Sequence, residues 1–405
     1  MIGISAGMFL SLFVILVFVG MAGIVSAKEL PSPVIMGYQN WGECNANQTI
    51  RAAMEGVNVV IWFAITFSTA DGEDGRENGI AISGGPDSKC MADVAASLDE
   101  RNLPTTHLIS IGGWNSPHPS ERFSGGELFA AFHAWNTGLP WPYDGLDWDL
   151  EGNNNPSSPY NTLTPTTLNQ MLDLSAAAKA SELVVTLVPA QSYFDQTTSS
   201  FNTSLLSSYE DWHPEFTYRG TNCYAYLVAA AAAGKANASP FSSASTSSAF
   251  AFDAVSVQLY ESWSRAGQAL FQPPLEPAVT YLRRLWGTLT SDTAGGWVVD
   301  FGEEGAWPGL RLAGPHPVPL APANLVVGLS RGSADGSGKS AFFRPVDAGA
   351  AYEATAASRR PRGFAFWNIA GEGEVANGTA APLSFAPALN AFLHVRASAT
   401  ATARR

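Results

Sequence analysis

Cysteine is scarce: Cys44, Cys90 and Cys223 are the only three in a chain of 405 residues. That excludes a disulfide-built scaffold, because at most one internal bridge can form and one thiol is left over. Cys44 with Cys90 is the favoured pair, both falling in loops after early strands, and spacing alone leaves the connectivity open. Histidine is thin as well, with six scattered residues and no Cys/His spacing of a metal site. His133, alone in an apolar helix, reads as packing. Cations are outnumbered, 22 Lys and Arg against 35 Asp and Glu, for a net charge of −13. A surface of that sign excludes electrostatic capture of nucleic acid or of an anionic membrane. No metal and no other cofactor is expected.

What is present is core material. The chain is 46% hydrophobic and carries 12 Trp, which excludes disorder for most of its length. From Gly7 to Ala27 the sequence is almost wholly apolar, with small residues at Val25-Ser26-Ala27 before Lys28. This predicts a signal peptide over residues 1–27 and a secreted, monomeric mature protein, soluble rather than membrane-bound. The first residues lack the usual positive charge and the run is long enough to span a bilayer, so an uncleaved signal-anchor stays open. Sequons at Asn47, Asn202, Asn237 and Asn377 fit glycosylation in that compartment, Asn237 least, because Pro240 follows Ser239.

After residue 28 the pattern alternates. Apolar or β-branched runs at Val34–Tyr38, Val57–Phe67, His107–Ile111, Leu183–Val188, Asp253–Tyr260, Asn324–Leu329 and Gly363–Trp367 read as strands. Helices are predicted over about Cys90–Arg101, Gly126–Trp135, Thr166–Ser181, Ala225–Ala233, Glu276–Leu289, Val346–Ser358 and Pro387–Val395. Asp71–Asp87 reads as a Gly- and Asp-rich loop, and the Ser/Ala-rich tract Phe241–Ser248 as a flexible one. With the strand described next, eight strands separated mostly by helices predict one α/β domain over 28–396. Its form is a single (β/α)8 TIM barrel, with a disordered tail at 397–405.

The remaining strand is Tyr143-Asp144-Gly145-Leu146-Asp147-Trp148-Asp149-Leu150-Glu151. Side chains two apart share a face of a strand, so Asp147, Asp149 and Glu151 line one surface and Leu146, Trp148 and Leu150 the other. A purely structural strand would not carry such a row, because desolvating three mutually repelling carboxylates is costly without partners. The row therefore reads as the mouth of an active site ending in a general acid. Barrel chemistry sits at the C-terminal ends of the strands, which puts Glu151 at the rim and Asp147 and Asp149 deeper.

Asp144 to Glu151 resembles the DGxDxDxE signature of family 18 glycoside hydrolases, the chitinases and endo-β-N-acetylglucosaminidases. Its five specified residues would match by accident with a probability on the order of 10⁻⁴. Trp148 departs from the aliphatic, Phe or Tyr residue usual there. Ser110-Ile111-Gly112-Gly113 resembles the family's third-strand SxGG motif, Val257-Gln258-Leu259-Tyr260 its sixth strand, and Phe364-Ala365-Phe366-Trp367 its eighth. The absence of a sizeable insertion between Leu329 and Gly363 is similar to the compact hevamine-like branch, which lacks the α+β insertion. Val188-Pro189-Ala190-Gln191 matches the branch's fifth strand only loosely, and Glu261 stands where Asp or Asn is common.

The resemblance implies a chitinase-like hydrolase acting on chitin or N-acetylglucosamine oligosaccharides by substrate assistance with retention. Glu151 would be general acid and then base, kept protonated by neighbouring anionic Asp149. Asp149 would orient the acetamido group, Asp147 would share a proton with Asp149, and Tyr260 would bond the same group. Trp367 would floor the sugar site, with Tyr38, Gly112, Gly113, Gln191 and Gln258 lining it. Asp144 reads as support for the strand. Trp41, Trp114 and Trp263 follow strand ends and could stack on sugar faces or pack in loops. An endo-β-N-acetylglucosaminidase acting on N-glycans, or a non-catalytic chitin-binding lectin on the same scaffold, are the alternatives.

Overall fold

The computed structural model describes residues 28–71, 77–152, 160–206, 221–237, 252–260, 264–270, 275–290, 297–330, 342–375 and 382–393. The apolar leader, the Ser/Ala tract, Glu261, Trp263, Asn377 and the tail lie outside them.

Eight parallel strands close on themselves: β1 (Val34–Tyr38), β2 (Val59–Asp71), β3 (Thr106–Trp114), β4 (Gly145–Glu151), β5 (Val184–Leu187), β6 (Ala254–Gln258), β7 (Leu325–Ser330) and β8 (Gly363–Trp367). Each pairs with the next in sequence, and β1 pairs with both β2 and β8, which removes the sheet edge. The described helices are α1 (Ala46–Met54), α2 (Ser88–Glu100), α3 (Gly125–Thr137), α4 (Pro165–Ala180), α5 (Cys223–Ala232), α6 (Arg265–Leu270), α7 (Ala278–Leu289), α8 (Pro345–Glu353) and α9 (Phe385–Leu393). The fold is a single (β/α)8 barrel.

Strand alternation sorts the core into two shells. Val34, Met36 and Tyr38 of β1, Val59, Ile61 and Phe63 of β2 and Leu108 of β3 cluster inside the barrel. Ile35, Val60, Trp62, Ile109 and Ile111 pack outward in the larger cluster shared with the helices. On β4 the outward residues are Leu146, Trp148 and Leu150, so the carboxylates at 147, 149 and 151 take the inner face. Trp148 is accommodated on that outer face, where its indole Nε1 donates to Ser175 Oγ of α4 at 2.9 Å. Helix starts follow local chemistry. Ser124 and Glu127 form a capping box on α3, and Thr164 caps α4 ahead of Pro165.

Cys44 and Cys90 are disulfide-bonded, joining the β1–α1 loop to the start of α2, and Cys223 is a buried thiol whose Sγ lies 3.7 Å from the Thr221 hydroxyl. The expected loop over Asp71–Asp87 is corrected: Glu77–Gly84 is a strand that turns back antiparallel along the far end of β2. Its Ile80 and Ile82 alternate as a half-buried strand requires, but its glycines hide the pattern. A second hairpin, Trp297–Asp300 with Pro315–Val318, also escaped the sequence reading. Helix α8 ends at Glu353, and Ala357–Arg359 is a separate 3-10 turn.

Candidate active site

Register places the acidic row. Ser110 stands beside Asp147, Gly112 beside Asp149 and Trp114 beside Glu151 along the β3–β4 ladder. At the base of β4, Asp144 Oδ2 accepts the His107 N–H at 2.7 Å and the Lys28 ammonium at 2.8 Å. Asp144 is thus a support for the strand, away from the rim.

Asp147 is fully enclosed in the barrel. Tyr38 Oη donates to its Oδ2 at 3.0 Å, Ser110 Oγ lies at 3.5 Å from the same oxygen, and the Thr186 hydroxyl donates to Oδ1. Burial raises its pKa to about 6, against the opposing pull of those three donors. Tyr38 in turn is held well above the ordinary phenol range, first by burial, then by the Asp147 charge and by nearby Tyr260.

Asp149 turns the other way, hydrogen-bonding Glu151 rather than Asp147. Burial is the largest cause of its raised pKa, followed by the Glu151 charge and by the hydrogen bond to Glu151. Glu151 is raised by burial as well, while the hydrogen bond from Asp149 lowers it. The expected cause is therefore corrected. Burial, not an Asp149 charge, raises Glu151, and the hydrogen bond between the two carboxyls lowers it. Two carboxyls this close in a dry site hold a single negative charge between them.

One amide organises the pair. Gln258 Nε2 lies 2.8 Å from Asp149 Oδ1, 3.0 Å from Glu151 Oε1 and 2.8 Å from the Val188 carbonyl oxygen. Two N–H bonds serve three acceptors, so Gln258 spans both carboxyls while anchored to the end of β5.

Aromatic rings cover the inner side of the mouth. Trp367, half-buried at the end of β8, meets Phe63 edge-on at 4.9 Å between centroids and Tyr38 at 6.0 Å. Trp41 stands edge-on to Phe63 at 4.5 Å and is 46% exposed, and Trp114 is 43% exposed beside Glu151. Tyr260 follows β6, half-buried and near the Tyr38 phenol. Gly112 and Gly113 both have φ above +100° (110° and 103°). A Cβ on Gly112 would strike the Asp149 carbonyl, and one on Gly113 the Trp41 and Phe63 rings. Both glycines make room for the site rather than supply a contacting group.

Gln191 is not brought to this cluster. It is fully buried, its Nε2 donating to Tyr281 Oη at 2.7 Å and its Oε1 accepting the Ala266 N–H at 2.9 Å. Sequence reasoning missed Thr186, which bonds Asp147, and two tyrosines behind Glu151, Tyr193 and Tyr224. Tyr224 Oη donates to the Leu150 carbonyl at 3.1 Å, and Tyr193 Oη accepts the Gly152 N–H at 3.3 Å.

The acidic strand, Gln258 and the Trp367, Phe63 and Tyr38 rings come together in the closed barrel. In fold, the chain is similar to solved structures of family 18 chitinases. No family model matches it, and no curated protein matches it. Solved structures similar to this chain include the C-terminal domain of ChiA from Legionella pneumophila, at 16% identity, 89% coverage of this chain, 98% of that one and a TM-score of 0.46. The Group IV chitinase of Ostrinia furnacalis in complex with allosamidin matches at 13% identity, 90% and 99% coverage and a TM-score of 0.45. A GH18 chitinase from Pseudoalteromonas aurantia matches at 13% identity, 84% and 95% coverage and a TM-score of 0.44. The roles assigned below come from the geometry of this chain.

Proposed function

We propose that this chain is a secreted chitinase-like glycosidase that cleaves β-1,4-linked N-acetylglucosamine polymers by a substrate-assisted, retaining route. The observation that carries the reading is the hydrogen-bonded Asp149–Glu151 pair, with Glu151 half-buried at the rim and Asp149 behind it. Ordinary glycosidases hold two carboxyls about 5 Å apart to attack the sugar, or about 6.5–9.5 Å apart to admit water between them. Two carboxyls bonded to each other leave space for neither, so the nucleophile has to come from elsewhere. The N-acetyl group of the substrate supplies it.

In the first step the acetamido group displaces Glu151 as partner of Asp149, and the shared proton passes to Glu151. Glu151 gives that proton to the glycosidic oxygen as the C1–O bond breaks, and the acetamido oxygen bonds C1 to form an oxazolinium ring. Anionic Asp149, anchored by Gln258, offsets the positive charge of that ring. Glu151, now a carboxylate, takes a proton from water whose oxygen bonds C1, which reopens the ring and restores the acid. Two displacements on C1 give retention. Asp147 steadies the charge behind Asp149, and Tyr260 faces the acetamido pocket from β6. Trp367 with Phe63 and Tyr38 offers a flat apolar floor for the CH-rich face of a pyranose.

Secretion is supported by the apolar leader and by the Cys44–Cys90 bridge, a bond that persists in oxidising compartments. Asn47 and Asn202 are exposed, whereas Asn237 donates its amide to Asp173 Oδ2 at 3.1 Å and is a poor acceptor of a glycan. The test is a turnover assay on a chitin oligomer beside a high-mannose glycoprotein, with anomer analysis of the product. Hydrolysis of the oligomer with the β anomer formed first is expected. Release of the N-glycan alone would favour the endo-β-N-acetylglucosaminidase, and binding without turnover the lectin.

A further inference from the structure

Strand β4 is unevenly supported. On one side β3 runs beside it to the end, from Leu108 opposite Gly145 to Trp114 opposite Glu151. On the other side β5 stops early. Its last registered pair is Leu187 with Trp148, and Val188 N–H then donates to the Trp148 carbonyl at 2.9 Å. Pro189 follows, which has no N–H to continue the ladder. In a parallel ladder every second residue bonds toward the same neighbour, so the groups left facing the missing strand are those of Leu150 and Gly152. These two residues flank Glu151.

Two phenols occupy the gap. Tyr193 comes from the 3-10 turn Gln191–Tyr193 directly after β5, and Tyr224 from the first turn of α5. Tyr224 Oη donates to the Leu150 carbonyl at 3.1 Å, and Tyr193 Oη takes the Gly152 N–H at 3.3 Å. The rings stack face to face, 6.1 Å between centroids and 13° from parallel, and both side chains are buried. Burying a phenol is unfavourable unless its hydroxyl is bonded, and here each hydroxyl bonds a main-chain group that would otherwise be left over. Tyr224 is close enough to Asp149 and Glu151 for their charges to raise its pKa, after burial itself. On the opposite edge the Asn115 N–H donates to the Glu151 carbonyl at 3.1 Å.

We propose that Tyr193 and Tyr224 are positioning residues that stand in for the missing end of β5 and clamp the peptide on both sides of Glu151, aiming its carboxyl at Asp149 and at the substrate. The inference rests on the glycosidase reading for its kinetic consequence and on main-chain hydrogen bonding for its structural one. A small displacement of a catalytic group costs rate far more than binding.

The test uses Tyr193→Phe and Tyr224→Phe, which keep the ring stack and remove one hydroxyl each, with Tyr226→Phe, another buried phenol of α5, as control. Tyr226 donates to Asn169 at 2.7 Å and touches neither flank of Glu151. Each clamp variant is expected to lower kcat about ten-fold, with KM within about two-fold and Tm within a few degrees, while Tyr226→Phe keeps wild-type kcat. Amide hydrogen exchange supplies a readout that needs no turnover. Gly152 N–H is expected to be protected in the wild type and to exchange about ten-fold faster in Tyr193→Phe. Unchanged kcat in both clamp variants, or Gly152 exchange indifferent to Tyr193→Phe, overturns the inference. If the wild type cleaves neither chitin oligomer nor N-glycan, the glycosidase reading falls, and Gly152 exchange alone decides the clamp.

Discussion

Asp149 is hydrogen-bonded to Glu151, and Asp147 behind it is bonded instead to Tyr38, Ser110 and Thr186. The three carboxyls of β4 thus divide into a proton-sharing pair at the mouth and a separately solvated anion site below. In the proposed first step the acetamido group takes the place of Glu151 beside Asp149, which stays anchored by Gln258. The distinct partners of Asp147 keep its site intact before and after that step.

Gln258 lowers the proton affinity of the pair against the effect of burial, since its N–H bonds favour the ionised form of both Asp149 and Glu151. Replacing it with Leu removes those donors and raises the pair further. The alkaline limb of the kcat/KM profile, which marks loss of the last proton from the pair, is expected to move to higher pH in Gln258→Leu. Activity below that limb is expected to drop about ten-fold. A limb that stays in place would show that Gln258 does not govern the pair.

Two buried groups pull the pH dependence of stability in opposite directions. Asp147 has its pKa raised from 3.8 to about 6, so the folded protein holds this proton more tightly than the unfolded chain. Its contribution is full below about pH 4 and is lost as pH rises through 6, a change of about 3 kcal/mol. His107, stacked on Trp62 and accepting its indole N–H at 3.1 Å, is lowered by burial from 6.5 to about 3. The unfolded chain takes up that proton first, so stability falls as pH drops below 6.5 toward 3. Urea denaturation of His107→Gln is expected to lose less stability than the wild type between pH 7 and pH 4.5, and Asp147→Asn is expected to lose more over the same fall. Parallel curves for either variant would remove that residue from the balance.

Much of the barrel was legible because its signals are local. Parallel strands buried on both faces are apolar runs, as at Val59–Phe67 and Leu325–Leu329, and the acidic strand stands out by its period of two. The Cys44–Cys90 pair was favoured from sequence but left open there, since Cys90 sits in the first turn of α2 and its approach to Cys44 depends on the fold. Other features depend on distant partners. Glu77–Gly84 is a strand because β2 overruns the barrel and offers it an edge, which nothing within its own glycine-rich sequence announces. Gln191 looked like a lining residue because it follows a strand, yet its amide is buried and bonded to Tyr281 and Ala266. Tyr193 and Tyr224 lie 41 and 74 residues from their partners, Gly152 just after β4 and Leu150 within it. The signal that could have found them was Pro189, which ends the fifth strand one residue after Val188 and leaves β4 bare beside Glu151.

In the proposed substrate-assisted route the N-acetyl group is a reactant. Fully deacetylated oligomers are expected to be turned over at least on the order of a hundred-fold more slowly than chitin oligomers of the same length, because the nucleophile is missing. Their binding on the Trp367 floor is expected to change much less. Equal turnover of the two substrates, measured as kcat, would show that the protein supplies its own nucleophile.

Everything in the mechanism passes through one carboxyl on the rim. Glu151→Gln keeps the side-chain shape and an oxygen for Gln258 but holds no transferable proton. The purified variant is expected to fold with a Tm near that of the wild type and to bind a chitin oligomer. Its kcat on that oligomer is expected to fall at least on the order of a thousand-fold. Wild-type turnover by Glu151→Gln on the same oligomer would contradict the assignment of Glu151 as the acid.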